Sequence, residues 1–256
     1  MQLDIDIGAE AQRPEIRSLD LTAFGPQDLL NLILQRSEVL FDWPQPGQVI
    51  KAWNAGDEAP IAEAVEKLGI EIAYRAAGVI FAEYTLLAPV LQKLAPKRFA
   101  DIGCGYALFD LFLARETGCD LLLIDLESNE RRHFGFAKDG AAYSSLATAQ
   151  AMLLANGIAA GRIELLNPRD RAPEEAGPVD CAASFLSCGF HYPLDPYLPF
   201  LDKALAPDGA ALFDLRAGRA ETQLAKLRSR GAVEVLSEQP KYLRVMMRKG
   251  VGHDAA

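Results

Sequence analysis

Between residues 97 and 249, short apolar runs alternate with helix-length segments, and that alternation narrows the possible folds more than any other feature of the 256 residues. "RFADIG", "CDLLLIDLE", "RIELL", "VDCAASFLS" and "GAALFDLR" read as strands, with polar or glycine positions at their ends. Amphipathic segments follow four of them: "ALFDLFLARET", "YSSLATAQAMLLANGI", "LDPYLPFLDKAL" and "RAETQLAKLRSR". In the second of these, Leu146, Ala149, Leu153 and Leu154 recur at helical spacing. Ser144 or Ser145 can cap its start and Asn156-Gly157 can end it. Strands that alternate with helices form a parallel sheet covered on both faces. The chain then closes with "AVEVLSE" and "YLRVMMRK", separated only by Gln239-Pro240 and their neighbours. A parallel crossover needs a dozen residues or more, so these two must pair antiparallel.

The first 95 residues show helical spacing and no strand pattern, in "PQDLLNLILQRSEVLF", "APIAEAVEKLG" and "EIAYRAAGVIFAEYTLLAPVLQKL". The stretch "DWPQPGQVIKAWNAGDE" reads as a loop rich in Pro, Gly and Trp. The expected organisation is a helical N-terminal cap or substrate region over residues 1–95 and an α/β domain over 96–250.

A net charge of −9 disfavours a protein that works on phosphate backbones, which needs clustered Lys and Arg, so no nucleic-acid partner is expected. The first residues are acidic, unlike a secretory signal. The longest apolar run carries Arg75, Glu83 and Pro89, so no membrane span is expected. Cys104, Cys119, Cys181 and Cys188 form no Cys-x-x-Cys pair and have no His at zinc spacing. They read as free, buried thiols in a reducing compartment, most simply the cytoplasm, and no metal site is expected.

The chemistry concentrates in "DIGCGYALFD". Gly103 and Gly105 allow a tight turn and a close ligand approach. Leu108 stands where a dinucleotide fingerprint wants its third glycine. Asp101 would repel a pyrophosphate but would welcome a sulfonium and an ammonium group. Asp125 ends the second strand, 22 residues after Gly103, where a carboxylate can accept both ribose hydroxyls. Glu127 is the competing acid but lies past the strand.

With "LAPDGAALFDL" before and along the fifth strand, these residues resemble a class I S-adenosylmethionine-dependent methyltransferase. The resemblance spans residues 97 to 248. It departs from the family at Ala107, where a third glycine usually stands, and at Asp208 in the loop before the fifth strand. It implies a seven-stranded Rossmann-like sheet, mostly parallel with its last strand antiparallel, and S-adenosyl-L-methionine as co-substrate. It also implies that Gly103 and Gly105, with Tyr106 beside them, approach the methionyl part. Asp101 would reach the ammonium and Asp125 the ribose, and either Asn167 or Asp170 would meet adenine.

The segment after the fourth strand, "SFLSCGFHYPLDPYL", contains His191, one of three histidines. A hydroxyl acceptor must lose its proton, and histidine titrates near neutral pH, so His191 is the candidate general base. Tyr192 and Ser187 flank it as orienting residues, and Ser187 is also a candidate cofactor contact. No Asn/Asp-Pro-Pro-aromatic motif follows the strand, and no spaced acids suit the magnesium of catechol-type enzymes. This segment and the "YSSL" helix resemble sugar O-methyltransferases. Arg131, Arg132 and His133 can grip an anionic acceptor or fold over the cofactor, and Phe41, Trp43, Trp53, Tyr74 and Tyr84 can line an acceptor pocket.

The expected activity is methyl transfer to an oxygen of a small polar acceptor such as a sugar. The alternatives are a non-catalytic protein of the same fold, a nucleic-acid methyltransferase and an NAD-linked oxidoreductase.

Overall fold

The computed structural model describes residues 5–127 and 144–250. Six helices come first: α1 (Ile7–Ala11), α2 (Pro14–Arg17), α3 (Pro26–Gln35), α4 (Pro46–Asn54), α5 (Ala59–Leu68) and α6 (Glu71–Leu94). The alternating part follows as β1 (Arg98–Ile102), α7 (Leu108–Thr117), β2 (Asp120–Ile124), α8 (Leu146–Ala155), β3 (Ile163–Leu166) and β4 (Val179–Ser184). It ends with α9 (Leu198–Lys203), β5 (Leu205–Arg216), α10 (Ala220–Arg228), β6 (Gly231–Glu238) and β7 (Tyr242–Lys249).

All seven strands lie in one sheet, in the order β3-β2-β1-β4-β5-β7-β6. The first five run parallel, and β7 is antiparallel to both of its neighbours, as the short β6–β7 turn required. The order reverses between β1 and β4, so a crevice opens at the carboxyl ends of those strands.

Local chemistry explains the helix ends. The Ser145 hydroxyl accepts from Thr148 N–H at the start of α8, and Asn156 and Gly157 follow its end. Helix α4 corrects the sequence reading of a loop at residues 42–58. Pro46 sits at the first helical turn, where it forfeits no hydrogen bond, and Val49 and Trp53 are buried.

Helix α7 also differs from the amphipathic helix expected, since Leu108 through Ala114 are all buried. Helix α6 covers its outer face. Phe81 meets Phe112 edge-on at 4.8 Å between ring centroids, and Tyr84 meets Phe109 at 5.4 Å. One hydrophobic cluster therefore runs from Ile16, Leu32 and Ile61 in the helical segment to Phe99 and Leu121 in the sheet. A second fills the other sheet face, around Ile102, Phe200, Phe213 and Leu224. Among the described residues, no helix is long and apolar enough to cross a membrane.

Candidate active site

A cavity of about 870 Å³ opens where the strand order reverses. That is near the upper end of the range that holds one drug-sized ligand. Its wall falls into two parts. Asp101, Gly103, Gly105, Tyr106, Asp125, Ser144 and Ser187 line one part. The other is built by Arg36, Glu83, Phe190, His191, Lys241 and Tyr242, with α1 contributing Ile7.

The glycine turn is set by what crowds it. Gly103 has φ +77°, and a Cβ there would meet Ser187 Oγ at 2.0 Å. A Cβ on Gly105, at φ +58°, would meet Gln35 Oε1 at 2.9 Å. Ser187 thus leaves no room for a side chain at Gly103, and at Gly105 the left-handed backbone is what favours glycine. Ala107 also adopts left-handed backbone, at φ +56°, in the position where the resemblance expects glycine. That conformation costs a non-glycine residue about 1–2 kcal/mol. Burial of its methyl offsets about 0.8 kcal/mol of the cost.

The acids behave differently from one another. Gly105 N–H donates to Asp125 Oδ2 at 2.8 Å, and Glu127 N–H to Asp125 Oδ1 at 3.3 Å. Burial nevertheless raises the Asp125 carboxyl above its usual range, against the pull of Gly105 N–H. Asp101 is 5% exposed, and its Oδ1 has no hydrogen-bond partner. Burial first, then the neighbouring Asp110, pushes Asp101 well up. Ser144 lines the same wall, and its side chain helps to hold the Asp125 carboxyl down. Two acids on one wall, Asp101 and Asp125, suit a ligand bringing an ammonium and sugar hydroxyls. The residues present therefore fit the cofactor that the sequence implies.

Several expected residues turn elsewhere. The Tyr106 ring reaches the wall, but its hydroxyl donates to Asp28 Oδ1 at 2.8 Å and accepts from Asn31 at 3.0 Å, both on α3. Asn167 is absent from the wall. Its amide donates to Glu127 Oε2 at 3.0 Å, and its Oδ1 accepts Arg169 N–H. Glu127 in turn accepts Leu146 N–H at 3.0 Å, so it braces α8 against the segment after β3. Asp170 is not on the wall either. Arg131, Arg132 and His133 lie outside the described residues.

None of the five aromatics proposed for an acceptor pocket lines this cavity. Trp53 and Tyr84 are buried, Phe41 and Tyr74 lie under Arg75 and Arg17, and Trp43 borders a separate surface groove. Phe185, Phe190 and Tyr242 take their place.

The loop after β4 is held firmly. Ser184 Oγ donates to Ile102 O at 2.6 Å and accepts Cys188 N–H at 2.8 Å. Gln223 on α10 donates to Gly189 O at 2.7 Å and accepts Leu194 N–H at 3.1 Å. His191 N–H closes a turn onto Ser187 O, and its ring stands edge-on to Phe190, 4.9 Å between centroids. The Ser187 and Tyr192 hydroxyls are 3.3 Å apart. Leu186 carries the strain of this turn at φ +51°, while its N–H reaches Asp214.

Two ion pairs that the sequence reading missed stand nearby. Arg36 forks onto Glu83 at 2.8 and 2.7 Å, and Arg244 onto the fully buried Asp214 at 2.7 and 2.8 Å. Burial alone would raise Glu83, but Arg36 and Arg244 outweigh it and hold the carboxyl below its usual range.

Among solved structures, the chain resembles a candidate O-methyltransferase of Nostoc punctiforme PCC 73102, with a TM-score of 0.50 and 13% identity over 70% of this chain and 59% of that one. The chain has the class I methyltransferase fold. The chain spans less than two thirds of the Nostoc structure's length. It is also similar to an O-methyltransferase family protein from Burkholderia thailandensis (TM-score 0.45, 14% identity, 88% of this chain and 73% of that one). A methyltransferase from Geobacter sulfurreducens is a further neighbour (TM-score 0.45, 15% identity, 65% and 77%). No protein-family model and no curated protein sequence matches the chain. Likeness of this kind concerns the methyltransferase fold, while the reaction resides in the site.

Proposed function

We propose that the protein transfers a methyl group from S-adenosylmethionine to an oxygen of a small polyhydroxylated acceptor such as a sugar. The observation that carries this reading is Asp101: a buried acid on the cavity wall beside the glycine turn, with no basic side chain among the described residues that would pair with it. An acid there suits a cationic ligand and repels the pyrophosphate of a dinucleotide. Four free cysteines, three of them buried, support the expectation of a reducing compartment such as the cytoplasm.

When bound, S-adenosylmethionine supplies a methyl group on a positively charged sulfur, open to in-line displacement by an oxygen. Asp101 would hold the ammonium end, and Asp125, already fixed by Gly105 N–H, would accept ribose hydroxyls. The acceptor lies toward Phe190, Tyr242 and the Arg36–Glu83 pair, where aromatic faces stack on sugar rings and charged groups bond hydroxyls. His191 takes the proton of the attacking hydroxyl, and the anchored loop around it supplies the orientation.

The test is a calorimetric titration with S-adenosylhomocysteine beside NAD, followed by transfer of labelled methyl to sugar acceptors. Saturable binding of S-adenosylhomocysteine alone supports the cofactor reading, and labelled product supports the acceptor. NAD binding in its place would overturn both.

A further inference from the structure

Helix α6 contributes Val79, Ile80 and Glu83 to the cavity wall, at spacings that share one helix face. One helical turn, about 5 Å along the axis, separates the two apolar residues from the acid. Ile5 and Ile7, from the start of the described chain, line the same cavity. Their position is fixed by close packing of α1 on α6. A Cβ on Gly78 would come within 2.8 Å of Ala11 N and Glu10 C, so the two backbones meet directly there. The Arg13 guanidinium lies 5.0 Å over the Phe81 ring, and Asp6 Oδ1 accepts Ala9 N–H at 2.9 Å to start α1.

This docking does not bury the isoleucines. Ile5 and Ile7 are half-buried and, among the described residues, pack into neither hydrophobic cluster. Ile80 is half-buried as well. The polar group next to this band is the forked Arg36–Glu83 pair, whose side chains are 14% and 13% exposed. An acceptor with hydroxyls on every side would strand some of them against the isoleucines, and an unpaired buried hydroxyl is costly. An apolar group placed there instead gains from leaving water. The acceptor end of the cavity therefore suits a molecule with two unlike parts.

We propose that the acceptor is an amphipathic glycoside, with its sugar ring at the Arg36–Glu83 pair and an apolar aglycone against Ile5, Ile7, Val79 and Ile80. This rests on the reading of the cavity as a methyltransferase site with a sugar acceptor. The single turn of α6 between the two subsites is about the width of one pyranose ring, so a glycosidic oxygen can join the two parts. The four apolar side chains determine specificity and take no part in the transfer itself.

The experiment measures labelled methyl transfer from S-adenosylmethionine by the full chain to paired methyl and hexyl glycosides of glucose, galactose, mannose and rhamnose. Within a pair the sugar is constant and only the apolar part changes. For the accepted sugar, kcat/KM should be about tenfold or more higher for the hexyl glycoside, since each buried methylene strengthens binding. Ile7→Ser and Ile80→Ser should each shrink that advantage several-fold. Equal kcat/KM for methyl and hexyl glycosides would overturn the apolar subsite and leave the sugar reading standing, as would an undiminished advantage in both variants. If a variant does not fold, the wild-type pairs decide. Absence of transfer to every glycoside, by protein that binds S-adenosylhomocysteine, would overturn the sugar reading and the subsite with it. Failure to bind S-adenosylhomocysteine would overturn the cavity reading as a whole.

Discussion

On the proposed reading, Asp125 serves a backbone turn and a ligand together. Its Oδ2 already holds Gly105 N–H, so Asp125→Ala removes the proposed ribose contact and also loosens the glycine turn. Loss of charge-assisted bonds should weaken S-adenosylhomocysteine binding about tenfold or more. Calorimetry on the purified variant checks this, and an unchanged affinity would contradict the ribose assignment. His191 makes the opposite prediction. His191→Ala should lower turnover about 100-fold or more, the usual contribution of a positioned base. Cofactor affinity should stay nearly unchanged. An unfolded variant would instead mark His191 as part of the scaffold of the loop after β4, where its N–H already closes a turn.

Among the elements, α3 is the one that ties the helical segment to the glycine turn. Asp28 accepts from Tyr106 Oη at 2.8 Å, from Thr148 Oγ1 on α8 at 3.2 Å and from Gly25 N–H at 3.0 Å. Asn31 adds a bond to the same phenol, and Gln35 stands against Gly105. Asp28→Ala leaves a buried phenol with one partner fewer and should destabilise the fold by about 1–3 kcal/mol. Because the phenol belongs to the turn, cofactor affinity should fall too, by several-fold. Thermal unfolding and titration of the same preparation test both parts. A stability loss at full affinity would show that the tie supports the fold without setting the turn. The loop after β4 depends on its neighbours in the same way, through Ser184, Gln223 and Asp214 from three different elements.

Acids raised by burial set a pH dependence for the whole molecule. Asp101 and Asp110 bind protons more tightly in the folded chain than in the unfolded one, Asp110 with a carboxyl pushed up to about 7. Each group's stabilising effect is therefore complete below the unfolded value of about 4 and is lost as pH rises through the folded value. Glu83 has the opposite sign, since Arg36 and Arg244 hold it low, and its effect is lost on acidification. Between pH 5 and 8 the ligand-free protein should lose stability as pH rises, and Asp110→Asn should flatten that slope. Unfolding midpoints measured across this range decide the matter, and parallel curves for the two proteins would refute it.

The sequence by itself determined the seven strands, the antiparallel closure and the turn at Gly103 and Gly105. These follow from local periodicity, turn chemistry and the short span between β6 and β7, and a linear chain records such properties directly. It also singled out Asp101, Asp125, Ser187 and His191, which the fold brings to one cavity. Tertiary structure alone decided the rest. A Pro-rich stretch became α4 because Val49 and Trp53 found a core to enter, and α7 lost its polar face because α6 covered it. Arg36 meets Glu83 and Asp110 meets Asp101 through packing, which periodicity does not encode. Tyr106 and Asn167 stand near the expected places, but partners from α3 and from beyond β2 claim their polar atoms. Hydrogen-bonding capacity is used up by whichever group arrives within 3 Å, and only the folded chain sets those distances.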